Sequence, residues 1–329
     1  MPKNTNPISV QESYQKFKIV FTRTRSWSTY DICTIDSDGS NWQRLTETNA
    51  WNQKTQFSPD GEKIVFDSNL DSDWDIYTIN TDGSGQTKLT ENEDDDMSAR
   101  WSPDGNKILF ASTTAIPPIY TTLLVMESDG SNLTLLDPFI GSSENHTWNP
   151  DAKSVLFIKQ IDSGSQLFTI DVNGQNLAQI TYDLVNKMHP EISPDGSKIM
   201  YVAVPEDNTE IFTMNIDGTS KTNLTNHPGY DNLPKWSPDG SRIVFISDRD
   251  GDRDIYCTNS DGTGVKKITF ETNNGYYVPK WSPDGTRIIY SIDPYNTGIN
   301  DICIVDSGGK SNIYLTEGNA AHWCPVPLP

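Results

Sequence analysis

The sequence predicts an all-β fold: a seven-bladed β-propeller of four-stranded antiparallel blades, closed by a C-terminal strand in the first blade. Three observations predict it. A motif returns about every 44 residues, each copy holds four short β-rich segments, and the two chain ends are out of phase with the repeat in a complementary way. All-β repeats of this length are propeller blades.

The first element of each copy is marked by Phe57, Trp101, Trp148, Ile192, Trp236, Trp281 and Trp323, at intervals of 44, 47, 44, 44, 45 and 42 residues. A Ser-Pro-Asp-Gly turn follows in five copies, as at Pro59 to Gly61. Proline pre-sets one turn angle, aspartate bonds the amides that follow, and glycine takes the positive φ that other residues avoid. In the third copy, after Trp148, Asp151-Ala152 replaces Asp-Gly, which predicts a strained or rearranged turn. The second element is an apolar run such as Ile64-Val65-Phe66 or Ile243-Val244-Phe245. The third is an Asp31-Ile32-Cys33 or Asp75-Ile76-Tyr77 type segment ended by a glycine turn, and the fourth finishes near Thr46, Thr90 and their equivalents. Such β-branched and aromatic runs between turn residues are strands.

The chain enters at a second element (Lys18 to Thr22) and leaves at a first one (Ala321 to Cys324). The last strand is therefore expected to complete the first blade, which removes the open edges of the array. Residues 1–16 read as an extension and 17–329 as a single domain, a size that a propeller reaches by adding blades.

Trp-Ser-Pro-Asp-Gly followed by Lys-Ile-x-Phe and Asp-Ile-Tyr resembles the TolB-type propeller repeat, from about Phe17 to Trp323. The resemblance implies an extracytoplasmic protein-binding propeller, and similar repeats occur in peptidase propellers and oligogalacturonate lyases. TolB itself resembles six blades behind a small α/β domain. Seven repeats and no such domain stand here, so its partners do not carry over.

With 25 basic against 45 acidic residues, net −20, the chain is unsuited to nucleic acid, whose phosphates need a basic surface. No 18-residue apolar run and no signal-peptide pattern occur in it, so it reads as soluble without membrane insertion; the cytoplasm stays open beside the extracytoplasmic site that the resemblance implies. Cys33, Cys257, Cys303 and Cys324 lack metal-type spacing and read as small buried apolar residues. No Gly-x-Ser-x-Gly elbow, phosphate loop or Cys-x-x-Cys pair is present, so no enzyme and no cofactor is expected. The segment Asp248 to Asp254 alternates carboxylates but lacks the order of a helix-flanked calcium loop, and reads as a turn.

His146, His189 and His322 each precede a first-element position by two, three and one residues. They are the set a metal-dependent lyase in the central channel would use. Strand alternation puts only His189 and His322 on one face, so no metal site is expected.

Function in propellers sits on loops. Those between elements two and three, and between blades, vary in length and content, and make the candidate binding face. Five tryptophans fill the repeated core position; the other four, Trp27, Trp42, Trp51 and Trp74, map to this variable face. With Tyr30, Tyr276, Tyr277 and Tyr295 they predict an aromatic arc over blades seven, one and two, flanked by Asp71, Asp73, Asp94, Asp95 and Asp96. Rings beside carboxylates suit a protein or basic peptide partner, with a glycan as the alternative.

Overall fold

A computed structural model describes residues 14–26, 29–114, 117–140, 144–162, 164–205, 208–270, 275–293 and 300–328. Among them are 28 strands in seven four-stranded antiparallel sheets. Blade one is β28 (Asn319–Pro327) innermost, then β1 (Phe17–Ser26), β2 (Thr29–Asp36) and β3 (Gln43–Arg44). Blade two runs outward from β4 (Asn52–Phe57) through β5 (Lys63–Ser68) and β6 (Asp75–Asn80) to β7 (Thr87–Lys88). Blade three is β8 (Asp95–Trp101), β9 (Lys107–Thr113), β10 (Thr121–Glu127) and β11 (Thr134–Ile140). Blade four is β12 (His146–Trp148), β13 (Ser154–Ile161), β14 (Gly164–Asp171) and β15 (Ala178–Gln179). Blade five is β16 (Lys187–Ile192), β17 (Lys198–Ala203), β18 (Glu210–Asn215) and β19 (Thr222–Asn223). Blade six is β20 (Asp231–Trp236), β21 (Arg242–Ser247), β22 (Asp254–Asn259) and β23 (Lys266–Lys267). Blade seven is β24 (Gly275–Trp281), β25 (Arg287–Asp293), β26 (Asp301–Asp306) and β27 (Asn312–Glu317).

The phase of the ends is resolved as the sequence predicts. β28 pairs antiparallel with β1, placing Trp323 opposite Ile19 and His322 opposite Val20. The ring's hydrophobic core lies between blades, where Trp148, for example, packs on Leu109 and Val125 of blade three and on Val155 of its own blade. The indoles stitch neighbours together: Trp148 Nε1 donates to Arg100 O at 3.1 Å, Trp281 Nε1 to Lys235 O at 3.2 Å and Trp323 Nε1 to Lys280 O at 3.2 Å.

Each repeated motif has a bonding reason. In the Ser-Pro-Asp-Gly turns the serine hydroxyl donates to the aspartate and accepts the amide five residues on, as in Ser58 Oγ to Asp60 Oδ1 (2.5 Å) and Lys63 N to Ser58 Oγ (3.0 Å). Those hydroxyls and amides hold the Asp195 and Asp239 carboxylates down to about 2. The Asp-Ile-Tyr and Leu-Thr motifs are one clasp. Thr90 Oγ1 donates to Asp75 at 2.9 Å and accepts the Ile76 amide at 3.1 Å, and Thr269 repeats this with Asp254 and Ile255. Both groups of a buried strand start are thereby satisfied. All four cysteines are buried and free.

At Asp151-Ala152 the turn is strained and keeps its form: Ala152 takes φ 58° and its amide still reaches Asn149 O at 2.9 Å. A side chain in the left-handed region costs about 1–2 kcal/mol. Ala152→Gly is therefore expected to stabilise the protein by about 1 kcal/mol, read as a raised midpoint in urea unfolding.

Strict alternation fails in the inner strands. Three residues before the first-element position, Lys54, Ser98, His189, Leu233, Val278 and Ala320 all have positive φ, between 23° and 60°. In blades two, three, five, six and seven the pairing register shifts at the same place. One extra residue on the inner strand makes a β-bulge. It bends the strand where it meets the variable end and re-aims the side chains beyond it.

Candidate functional site

The variable end is formed where the loop after each second strand meets the chain entering the next blade. Tyr30 N donates to Ala50 O at 3.1 Å, Asp96 N to Trp74 O at 2.6 Å and Asp231 N to Thr209 O at 3.0 Å. This lacing puts Tyr30, Trp51 and Trp74 on one end. Tyr30 and Trp51 meet edge to face at 5.5 Å, and Trp51 is 40% exposed. Asn69 holds the Trp51 backbone, its Oδ1 accepting the Trp51 amide at 2.7 Å. Trp74 is half-buried, and its amide donates to Asp95 Oδ1 at 3.1 Å.

Of the expected carboxylates, Asp71 is exposed, Asp73, Asp94 and Asp95 are half-buried, and Asp96 is fully buried. Asp96 is a correction: its carboxylate accepts Asn92 Nδ2 at 2.7 Å inside the blade, so no ligand reaches it. The sequence showed a run of acids without showing that the strand β8 begins within it. Trp42 is a second correction. Its backbone follows the turn after β2 and so starts from the opposite end, and its ring lies along blade one, 5.7 Å from the Arg23 guanidinium. Trp27 and Tyr295 lie outside the described residues; Tyr276 and Tyr277 fall in β24, with side chains outside them.

Exposed rings also occur around the rest of this end. Tyr182 (74% exposed), Phe270 (68%) and Tyr230 (52%) stand in the loops leaving blades four, six and five, and Phe139 packs against Tyr120 at 5.4 Å on blade three. A reading weighted toward tryptophan missed them; the signal was an aromatic in the entry loops of blades five, six and seven.

Asp71, Asp73 and Asp75 have carboxylate oxygens within 4.8 Å of one another, the one such acidic or metal-type trio among the described residues. Lys88 already sits among them, 2.5 Å from Asp71 and 2.8 Å from Asp75. The three histidines do not gather. His146 is buried with Nε2 2.9 Å from Ser98 O, and His322 Nδ1 lies 2.9 Å from Trp323 O. Burial first and nearby cations second push both imidazoles down to about 3. The Asp248 to Asp254 segment is a turn, with Gly251 N on Asp248 O and Arg249 turned inward to Asp231 at 3.0 Å.

Sequence reading also missed the channel wall. The residues just before the first-element positions are Gln56, Arg100 and Thr147 in blades two to four, Glu191, Lys235 and Lys280 in five to seven, and His322 in blade one. Arg100, Gln56, Thr147 and His322 line a cavity of about 350 Å³ that opens beside Pro59, Pro103 and Pro325, at the end carrying the Ser-Pro-Asp-Gly turns. Burial and then the charges of Lys235, Arg100 and Lys54 bring the Lys280 ammonium down to about 7. Asp67, buried behind the wall, is raised to about 7 although the Ser98 and Ala99 amides donate to it. Among the described residues no helix is long and apolar enough to cross a membrane.

A family model described as the TolB beta propeller domain matches residues 13–186 and 184–325. No curated relative matches the chain. Among solved structures, TolB from Acinetobacter baumannii superposes with TM-score 0.60 at 15% identity, over 94% of this chain and 83% of that one. An oligogalacturonate lyase from Vibrio parahaemolyticus gives TM-score 0.68 at 16% identity, over 92% and 85%. A puromycin hydrolase gives 0.71 at 13% identity over 92% of this chain, which spans 52% of that enzyme. At these identities the likeness is one of fold. Seven blades, a closing C-terminal strand and the matched repeats place the assignment at the level of family: the chain belongs to the TolB β-propeller domain family.

Proposed function

We propose that this propeller is a non-catalytic binding module that takes a protein or peptide, with basic side chains, on its variable end. The observation that carries the reading is the Tyr30–Trp51 pair, an exposed edge-to-face couple held by backbone bonds. Rigid rings supply contact area at small entropic cost, and the half-buried or exposed Asp71, Asp73, Asp94 and Asp95 nearby attract cations. Membership of a family whose TolB members bind proteins outside the cytoplasm supports both the partner class and an extracytoplasmic location.

One neighbour is an oligogalacturonate lyase in complex with manganese. The corresponding reading here needs a histidine-rich metal site in the channel. No group of three potential ligands within reach of one another includes His146, His189 or His322 among the described residues, which weighs against that reading.

Binding is tested with a displayed library of Lys/Arg-containing peptides, scored against neutral peptides and a glycan array. Trp51→Ala is expected to weaken the selected peptide about tenfold, with stability changed by less than about 1 kcal/mol, as for an exposed contact residue. Unchanged affinity, or selection of glycans instead of peptides, overturns the proposal.

A further inference from the structure

The channel wall is charged against the sign of the molecule. The chain carries net charge −20, yet its inner strands gather Lys54, Arg100, Lys235 and Lys280 around the axis. Glu144 answers Lys54 across the ring at 2.8 Å, and Glu191 answers Lys235. Arg100 and Lys280 have no side-chain hydrogen bond or ion pair among the described residues, and Arg100 Nε is buried without a partner. Glu191, Glu144 and Asp67 act on Arg100 and Glu191 on Lys280 only at longer range, and a buried cation without a direct partner is expensive, a cost that a bound counter-charge relieves.

The neighbouring groups have donor character. Gln56 has its Oε1 engaged by the Trp101 amide at 3.1 Å, which leaves its amide hydrogens as the free group, and Thr147 adds a hydroxyl to the cavity wall. His322 is neutral at physiological pH and brings no opposing charge. The space of about 350 Å³ holds a small anion with several hydration waters, each taking about 30 Å³.

We propose that the channel mouth at the Ser-Pro-Asp-Gly end is a binding site for a compact oxyanion of the phosphate or sulfate type, held by Arg100 with Gln56 and Thr147 as neutral donors, while the Lys280 ammonium, one blade on from His322, adds its charge from beside the cavity. The site is at the opposite end from the aromatic surface and does not depend on what that surface binds. Planar guanidinium and flexible ammonium groups both suit tetrahedral oxyanions, and hydrogen bonds between charged groups are the strong ones.

The test is titration calorimetry of the full chain with sulfate and with inorganic phosphate at pH 6.5, in chloride buffers of matched ionic strength. Lys280, its ammonium brought down to about 7, is mostly protonated there. Saturable one-to-one binding of either anion is expected, weakened about tenfold in Arg100→Gln, the loss for one charged hydrogen-bond donor, and several-fold in Lys280→Gln, which removes a neighbouring charge. Lys266→Gln, an exposed outer-strand lysine on blade six, is the charge-matched control and is expected to bind as wild type. Removing Lys280 relieves repulsion, so that variant stays folded and decides the matter even where Arg100→Gln does not fold. Absence of saturable binding by both anions, or equal weakening in all three variants as general screening would give, overturns the site.

Discussion

Deleting residues 319–328 is expected to abolish the cooperative fold. The segment is β28, the innermost strand of a sheet whose other members come from the opposite end of the chain. With it go the buried Ala321, Trp323 and Cys324, the edge contact of Trp323 with Phe17 at 6.0 Å, the indole bond to Lys280 O and the Arg287 guanidinium over the indole at 5.2 Å. Losing a buried Trp side chain alone costs about 3–5 kcal/mol, against about 5–15 kcal/mol for a whole domain. The remaining chain also has Ile19 and Val20 of β1 uncovered, together with that strand's unpaired backbone. Thermal unfolding followed by circular dichroism checks this. A truncated protein melting within a few degrees of the full chain shows that the ring does not depend on its closing strand.

Lys280→Met is expected to do the reverse and stabilise the protein at neutral pH. Burial, Lys235, Arg100 and Lys54 hold the ammonium at about 7 in the folded chain, with Glu191 opposing, whereas it titrates near 10.5 when unfolded. Between these values the unfolded state binds more protons, so stability rises with pH from about 7 to about 10.5. Below that window the penalty is fully present, and above it there is none. Lys280 is only half-buried, which screens part of the effect, so the gain for methionine is on the order of 2 kcal/mol at pH 6 and vanishes near pH 11. Asp67 has the opposite slope, and its window lies below Lys280's: its carboxyl is raised from about 3.8 to about 7, so stability falls with pH across that lower range. Subtracting the variant's urea-unfolding profile from the wild type's isolates the lysine. A difference that does not vary with pH contradicts a perturbed ammonium.

Most of the ring was legible in the sequence because the repeat records bonds that every blade makes. Ser58 and Asp60, or Asp75 and Thr90, recur because the same amides need partners each time. The inner-strand bulge was not legible: Lys54, Ser98, His189 and Leu233 share a backbone angle and no side-chain chemistry. The alternation used to sort the histidines fails at that position. Trp42 was misplaced because its distance from a turn, not its type, decides its end. The channel cations were hidden for a related reason. Their positions read Gln, Arg, Thr, Glu, Lys, Lys and His along the chain, a series without period, and only closing the circle brings them face to face.

The outermost strands have a consequence for self-association. In five blades they are two residues long: Gln43–Arg44, Thr87–Lys88, Ala178–Gln179, Thr222–Asn223 and Lys266–Lys267. So short a ladder gives another molecule too few amides to add a fifth strand. The other two are longer: β27 of blade seven has six residues, and β11 of blade three, the apolar one with Leu135 and Phe139 outward, is interrupted by Pro138, whose nitrogen cannot donate. Short rims thus limit edge-to-edge growth over five blades, and Pro138 is a residue whose replacement would lengthen the apolar edge available to it.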